Sequence, residues 1–197
     1  MDETRFEGVL DDGTRILLRP IRADDKERIV RGLASLSPES RYLRFFRNVD
    51  RFSADQLRYL TEVDGVDHCA WMAVLPDVPG EPGAGVARWI RLRDAPDQAE
   101  AAVTVVDEMQ GRGIGSALLW VLGRSALDRG VKAFRVAVLG DNHPMLHLLT
   151  QAGAQRGPWQ SGVVEFTVPL TGELLGEPPA RLVLEAVAAG LGEEDPP

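Results

Sequence analysis

Gln110, Gly111, Arg112, Gly113, Ile114 and Gly115 stand between a run of β-branched residues and a run of helix formers. Glycines at 111, 113 and 115 let a backbone close tightly around a ligand. A helix opening at about Gly113 adds unpaired N–H groups and a positive dipole end, and Arg112 adds charge. That combination suits an anion, above all a pyrophosphate. The dinucleotide fingerprint G-x-G-x-x-G fits less well: it requires glycine where Ser116 stands and an acidic residue ending the next strand, which ends in Gly140. A P-loop needs Gly-Lys-Ser/Thr, and no lysine lies between Lys26 and Lys132. The remaining alternative is a tight strand-to-helix turn that holds no ligand.

The elements around this stretch follow from local signals. A strand over 15–19 is ended by Pro20, and Asp24 caps a helix over 25–36. Ser37 followed by Pro38 starts a second helix, and Ser53 caps a third of about ten residues. Strands over 68–75, 86–92 and 99–106, joined by short Pro/Gly-rich turns, read as an antiparallel meander. The helix after the glycines stops at Gly130. A strand over 131–139, a helix opening at Asn142 and strands over 154–159 and 163–170 complete the series. From Thr171 the composition shifts to Gly, Pro, Glu and Ala, with one amphipathic helix expected over 178–190 and a disordered acidic end over 191–197. No internal repeat is visible.

Bulk properties exclude several classes. With 197 residues, 44% hydrophobic and 26% charged, the chain reads as one ordinary soluble domain with a short appendage. A formal charge of -8 argues against nucleic acid as the main partner, although a local basic patch stays open. No apolar run approaches the roughly 20 residues of a membrane span. Cys69 is the lone cysteine and the first residues show no export pattern, so a cytoplasmic protein without disulfides is expected.

The stretch "QGRGIG" matches the Q/R-x-x-G-x-G/A signature of the GCN5-related N-acetyltransferases (GNATs), and the order of elements resembles that family's fold. "LLRPIRADD", "LSPESRYLRFF", "AEAAVTVVDEMQGRGIG" and "DNHPMLHLLTQAGA" together resemble the acetyltransferase domain of the bacterial protein-lysine acetyltransferases that modify acetyl-CoA synthetase. The resemblance implies an α/β domain over residues 1–170, followed by an extension over 171–197. Its central sheet is expected to be mixed and mostly antiparallel, with about six or seven strands and about four flanking helices. Some such proteins carry a cyclic-nucleotide-binding or acyl-CoA-synthetase-like domain. About a dozen residues precede the first expected strand, so neither is expected here.

The resemblance also implies the chemistry. Acetyl-CoA is the cosubstrate, its pyrophosphate held by Gln110 to Ala117 (Gln110, Gly111, Arg112, Gly113, Ile114, Gly115, Ser116 and Ala117). A splayed strand at Val105 and Val106 offers free backbone groups to the thioester and pantetheine. Asn142 meets the pantetheine arm or the leaving sulfur, beside the plain alternative of a helix cap. An amine of pKa about 10.4 must lose a proton before it attacks. Glu100 matches the family's general base, and burial beside the thioester would raise its pKa; the alternative is an exposed glutamate at the start of a strand. The family's usual tyrosine acid is replaced by Leu149. A thiol of pKa about 8.5 leaves tolerably without one, and the resembled enzymes also tend to lack that tyrosine. A protein lysine, such as one on an acyl-CoA synthetase, is the preferred acceptor. A small-molecule amine and a non-catalytic acyl-CoA sensor are the alternatives.

Other residues carry plainer expectations. Asp107 and Glu108 read as solvent-facing turn residues, Cys69 as a buried small hydrophobe, and Trp89 as core or as lining for the acceptor groove. Arg41, Arg44 and Arg47 form one basic, solvated helical face. His68, His143 and His147 form no metal-ligand set, since no H-E-x-x-H pattern accompanies the pair spaced by four.

Overall fold

Asp12 and Gly13 turn the chain between Arg5–Val9 (β1) and Arg15–Pro20 (β2), where the Asp12 carboxylate accepts the Thr14 amide at 3.1 Å. The structure, a computed structural model, describes residues 5–172, residue 175 and the backbone of residues 183–187. After β2 a 3-10 turn, Ala23–Asp25, leads into Lys26–Ala34 (α1), so the expected helix starts later, with Asp25 and not Asp24 at its cap. Pro38–Phe45 (α2) and Ala54–Thr61 (α3) start where expected. Ser37 Oγ accepts the Ser40 amide at 3.1 Å, and Ser53 and Gln56 exchange side-chain-to-backbone bonds in a capping box.

His68–Val74 (β3), Gly83–Arg91 (β4) and Gln98–Val105 (β5) form the antiparallel meander. Ile114–Leu127 (α4), Ala133–Leu139 (β6), His143–Gln151 (α5), Gln155–Gln160 (β7) and Val163–Pro169 (β8) follow. Val183–Val187 (β9) lies antiparallel to β1. The nine-stranded sheet runs β7-β8-β6-β5-β4-β3-β2-β1-β9, antiparallel throughout except at β5 and β6. This is the mixed, mostly antiparallel α/β architecture expected, with nine strands and five α-helices among the described residues in place of six or seven and four. β1 and β9 are the two strands not expected, and β9 replaces part of the expected helix over 178–190. The edge of β1 offers unpaired backbone groups, and that edge decides the conformation of a segment whose own propensities are mixed. The acidic end over 191–197 lies outside the described residues.

Two layers cover the sheet. On one face α4 buries Ile114, Leu118, Val121 and Leu122 against Trp71, Ala87, Trp89, Ala99 and Ala101. Leu175 packs onto the same helix at Gly123, and its carbonyl accepts the Trp120 indole N–H at 3.1 Å. On the other face Ile21, Ala70, Met72 and Val74 pack with Ile29 and Val86, beside a cluster of Leu33, Leu36 and Val49. Asp25, with no exposed surface, joins α1 to the sheet by accepting both Nη groups of Arg19, at 2.6 and 2.7 Å.

Candidate active site

The parallel contact of β5 with β6 is short. Gln98, Ala99 and Glu100 pair with Ala133, Phe134 and Arg135, after which β5 continues beside β4 to Val105 and β6 beside β8 to Leu139. The two strands therefore part, leaving one side of β5 without a strand neighbour from Ala101 onward. Hydrogen bonding alternates along a strand, and the Val106 amide donates to Ala84 O of β4 at 3.0 Å. Val103 and Val105 thus turn their backbone groups toward the gap. Of the two residues expected to offer free backbone, Val106 has its N–H tied to β4. The Val105 carbonyl accepts Gln110 Nε2 at 3.1 Å.

A second 3-10 turn, Asp107–Met109, carries the chain into the glycine stretch. Gly111 has φ +72° and Gly113, at the cap of α4, has φ +89°, a left-handed backbone that favours glycine. The first bond of the helix runs from the Ala117 amide to Gly113 O at 3.0 Å, and the α4 N-terminus has neither a side-chain cap nor an acidic residue in its first turn. Its N–H groups and dipole are left for an anion, with no carboxylate of the first turn to oppose one. Ile114 and Ala117 are buried and offer the loop only their backbones, whereas Gly115 and Ser116 are half-buried at its surface.

Two charged side chains point elsewhere than expected. Arg112 fastens the loop to the β1–β2 turn through Asp12, Thr14 Oγ1 at 2.8 Å and Met109 Sδ at 2.8 Å, so its charge is spent on Asp12. The Thr14 amide and hydroxyl, together with Arg112, hold the Asp12 carboxyl below the usual range. Asp107 is not a solvent-facing turn residue. It accepts the Ser37 amide at 3.0 Å and Gln110 Nε2 at 3.2 Å, joining the end of β5 to the start of α2. Burial would raise its pKa, but the bonds from Ser40 and Ser37 and the charge of Arg41 bring it below the ordinary value. Glu108 is exposed, as expected.

Glu100 lies opposite Ile90, on the face of β5 that also carries Ala102 and Thr104, turned toward α1–α3. It is exposed, so the burial expected of it is absent. Its charge is felt by Arg44 of α2. Burial pushes the Arg44 guanidinium down in pKa, and the Glu100 charge opposes that shift. Asn142 caps α5 by accepting the Met145 amide at 3.2 Å, and Leu149 is in the core.

A cavity of about 80 Å³ lies between α1–α3 and the sheet, on the Glu100 face. Leu33, Leu36, Phe45 and Phe52 wall it, Thr104 and Val106 of β5 border it, and Arg44 and Arg88 reach it from α2 and β4. Sequence reading missed this site. The alternation of β4 was its only signal, because it sets Arg88 on the face opposite Trp89. Trp89 does not line a groove: it is wholly buried under α4, where its indole N–H donates to Ser125 Oγ at 3.1 Å. The basic face of α2 also breaks up. Arg41 donates to Leu33 O and Leu36 O, Arg44 turns to the cavity, and Arg47 is exposed. Cys69 is buried as expected, its thiol pushed up to about 11 by burial. His68 accepts from Arg88 at 3.0 Å.

Residues 35–154 match the model of the acetyltransferase (GNAT) family, a span that takes in the meander, the glycine loop and Asn142. The chain belongs to this family and is an acetyltransferase. It is 36% identical over 186 residues to the acetyltransferase Pat of Mycolicibacterium smegmatis, covering 89% of this chain but only 55% of that protein. It is 30% identical to an acetyltransferase of Pseudomonas aeruginosa, over 76% of this chain and 81% of that one. The crystal structure of the GNAT domain of S. lividans PAT superimposes with a TM-score of 0.76 at 34% identity, over 83% of this chain and 96% of the other. No described helix is long and apolar enough to cross a membrane.

Proposed function

We propose that residues 1–170 form a catalytic domain that transfers an acetyl group from acetyl-CoA directly to a primary amine. The preferred acceptor is a lysine side chain of a protein such as an acyl-CoA synthetase. The observation that carries the reading is the uncapped start of α4, wrapped by Gly111 and Gly113, directly after the strand that loses its β6 neighbour. The backbone amides of Arg112 to Ser116 would hold the pyrophosphate, with the Ala117 amide already bonded to Gly113 O, and the Val103 and Val105 backbone would pair with the pantetheine arm as an added strand does.

Glu100, exposed at the rim, would take the amine proton through a water. The neutral nitrogen then attacks the thioester carbonyl, the C–S bond breaks and CoA leaves as thiolate. Asn142 would meet the arm from the far side of the gap while keeping its cap. The likeness to Pat supports a protein acceptor, and 55% coverage of that protein limits the support to this domain. The test is transfer of labelled acetyl from acetyl-CoA into purified acyl-CoA synthetases by wild type and Glu100→Gln, with acetyl-CoA binding followed for both. Label on a synthetase lysine with wild type, lost in the variant while binding persists, is the expected result. Binding without label on any synthetase would withdraw the protein acceptor.

A further inference from the structure

Arg88 is 7% exposed, yet its hydrogen-bond partners are neutral: Leu60 O at 3.0 Å and His68 Nε2 at 3.0 Å. Burial pushes His68 down to about 4, so it meets Arg88 as an uncharged imidazole. The other buried arginine, Arg19, has the Asp25 carboxylate at 2.6 Å. Among the described residues no carboxylate lies within 4 Å of Arg88 or of Arg44. Arg28, the third arginine at this cavity, is paired with Asp25 and Glu81. Two guanidinium groups without a directly bonded carboxylate therefore converge on one apolar space. A buried cation left in that state is unfavourable until an anion joins it.

The position of the cavity says which reactant can supply the anion. Arg88 lies directly opposite Ala102 and Val86 opposite Thr104, so the space adjoins the part of β5 from which β6 has departed. Two guanidinium groups repel an ammonium, so the amine stays at the exposed Glu100 carboxylate on the rim of this face and does not enter the cavity. A water takes about 10–15 Å³ of such a volume, so a cavity of about 80 Å³ holds several atoms more than a methyl group. We propose that this cavity receives the acyl group of the thioester donor, and that Arg88 and Arg44 select a short acyl chain ending in a carboxylate, of the malonyl or succinyl kind, over acetyl.

The inference rests on acyl-CoA being the donor. The reaction is unchanged in its balance: the amine nitrogen bonds the thioester carbonyl, the C–S bond breaks, CoA leaves as the thiolate and takes up the proton that the new amide nitrogen sheds, and the distal carboxylate stays intact against the two arginines. Competition binding of CoA, acetyl-CoA and succinyl-CoA to the full chain tests it, together with transfer from each thioester to a lysine peptide. Succinyl-CoA is expected to bind at least about tenfold more tightly than acetyl-CoA, the effect of one charge-assisted hydrogen bond. Arg88→Met should bring that ratio close to one. Because Arg88 is buried, Arg44→Gln at the half-buried position serves as the second variant and should lower the ratio in the same direction. Equal binding of the two thioesters by wild type, or a ratio unmoved in Arg44→Gln, overturns the carboxylate preference and leaves the acetyl-CoA reading standing. Failure of CoA and both thioesters to bind overturns both.

Discussion

Removing the charge of Asp25 should unfold the protein at a markedly lower temperature. The carboxylate has no exposed surface and accepts both Nη groups of Arg19, the Arg22 amide at 2.8 Å and Arg28 Nη1 at 3.2 Å. Asp25→Asn leaves Arg19 buried without a counter-charge, a loss of about 3–5 kcal/mol. At roughly 2–4 °C per kcal/mol for a chain of this size, Tm should fall by about 6–20 °C. Arg19→Met combined with Asp25→Leu removes both charges and should lose less than the single change does. Denaturant melts of wild type, Arg19→Met, Asp25→Leu and the double variant close a double-mutant cycle. The acid limb gives a second readout. Burial alone would raise the Asp25 pKa, but the bonds from Arg19 and the Arg22 amide, with the charges of Arg19 and Arg28, bring it below 3.8. Its stabilisation is therefore complete above that value and lost as pH falls through the lower folded pKa, a loss absent from Asp25→Asn. A single variant within about 1 kcal/mol of wild type, or strictly additive changes in the cycle, would refute the role given to this pair.

Gly111 has φ +72° and nothing close to where a Cβ would stand, so Gly111→Ala should lower stability through backbone strain alone, by about 1–2 kcal/mol, and weaken CoA binding; an unchanged Tm would deny the left-handed turn. His68 is depressed from 6.5 to about 4, chiefly by burial and then by the Arg88 charge. The folded state thus binds fewer protons than the unfolded chain between those values, and stability should decline as pH falls from about 6.5 to 4. His68→Gln should flatten that window, and an identical pH profile in variant and wild type would count against the neutral imidazole.

What the sequence made legible was local. Ser37, Ser53 and Asn142 cap helices because each side chain reaches an amide three residues on, which needs no knowledge of the rest of the fold. The glycine loop is legible for the same reason: positive φ and an uncapped helix start are decided within a few residues. Side-chain direction was harder, because distant partners decide it. Arg112 turns to Thr14, 98 residues away, and Asp107 to Ser37, 70 residues away. Strand β9 was read as helix because its conformation depends on the edge of β1, nearly the full chain length distant. The exposure of Glu100 depends on how far α1–α3 cover its face of the sheet, a feature of packing that strand periodicity does not encode.

Strand β5 joins the two halves of the site. Ala99, Ala101, Val103 and Val105 face α4 and close the core beneath the glycine loop, while Glu100, Ala102 and Thr104 face α1–α3, where Thr104 borders the cavity. A slip of one residue in its pairing with β4 would bury Glu100 under α4 and turn valines toward the arginines. Burial of alanine and valine on one face therefore fixes the register, and the register sets Glu100 on the same side as Arg44 and Arg88. The same alternation aims the Val103 and Val105 backbone into the gap left by β6. In the proposed reaction, core packing in this strand thus sets which side of the sheet would meet the amine and which backbone groups would meet the donor.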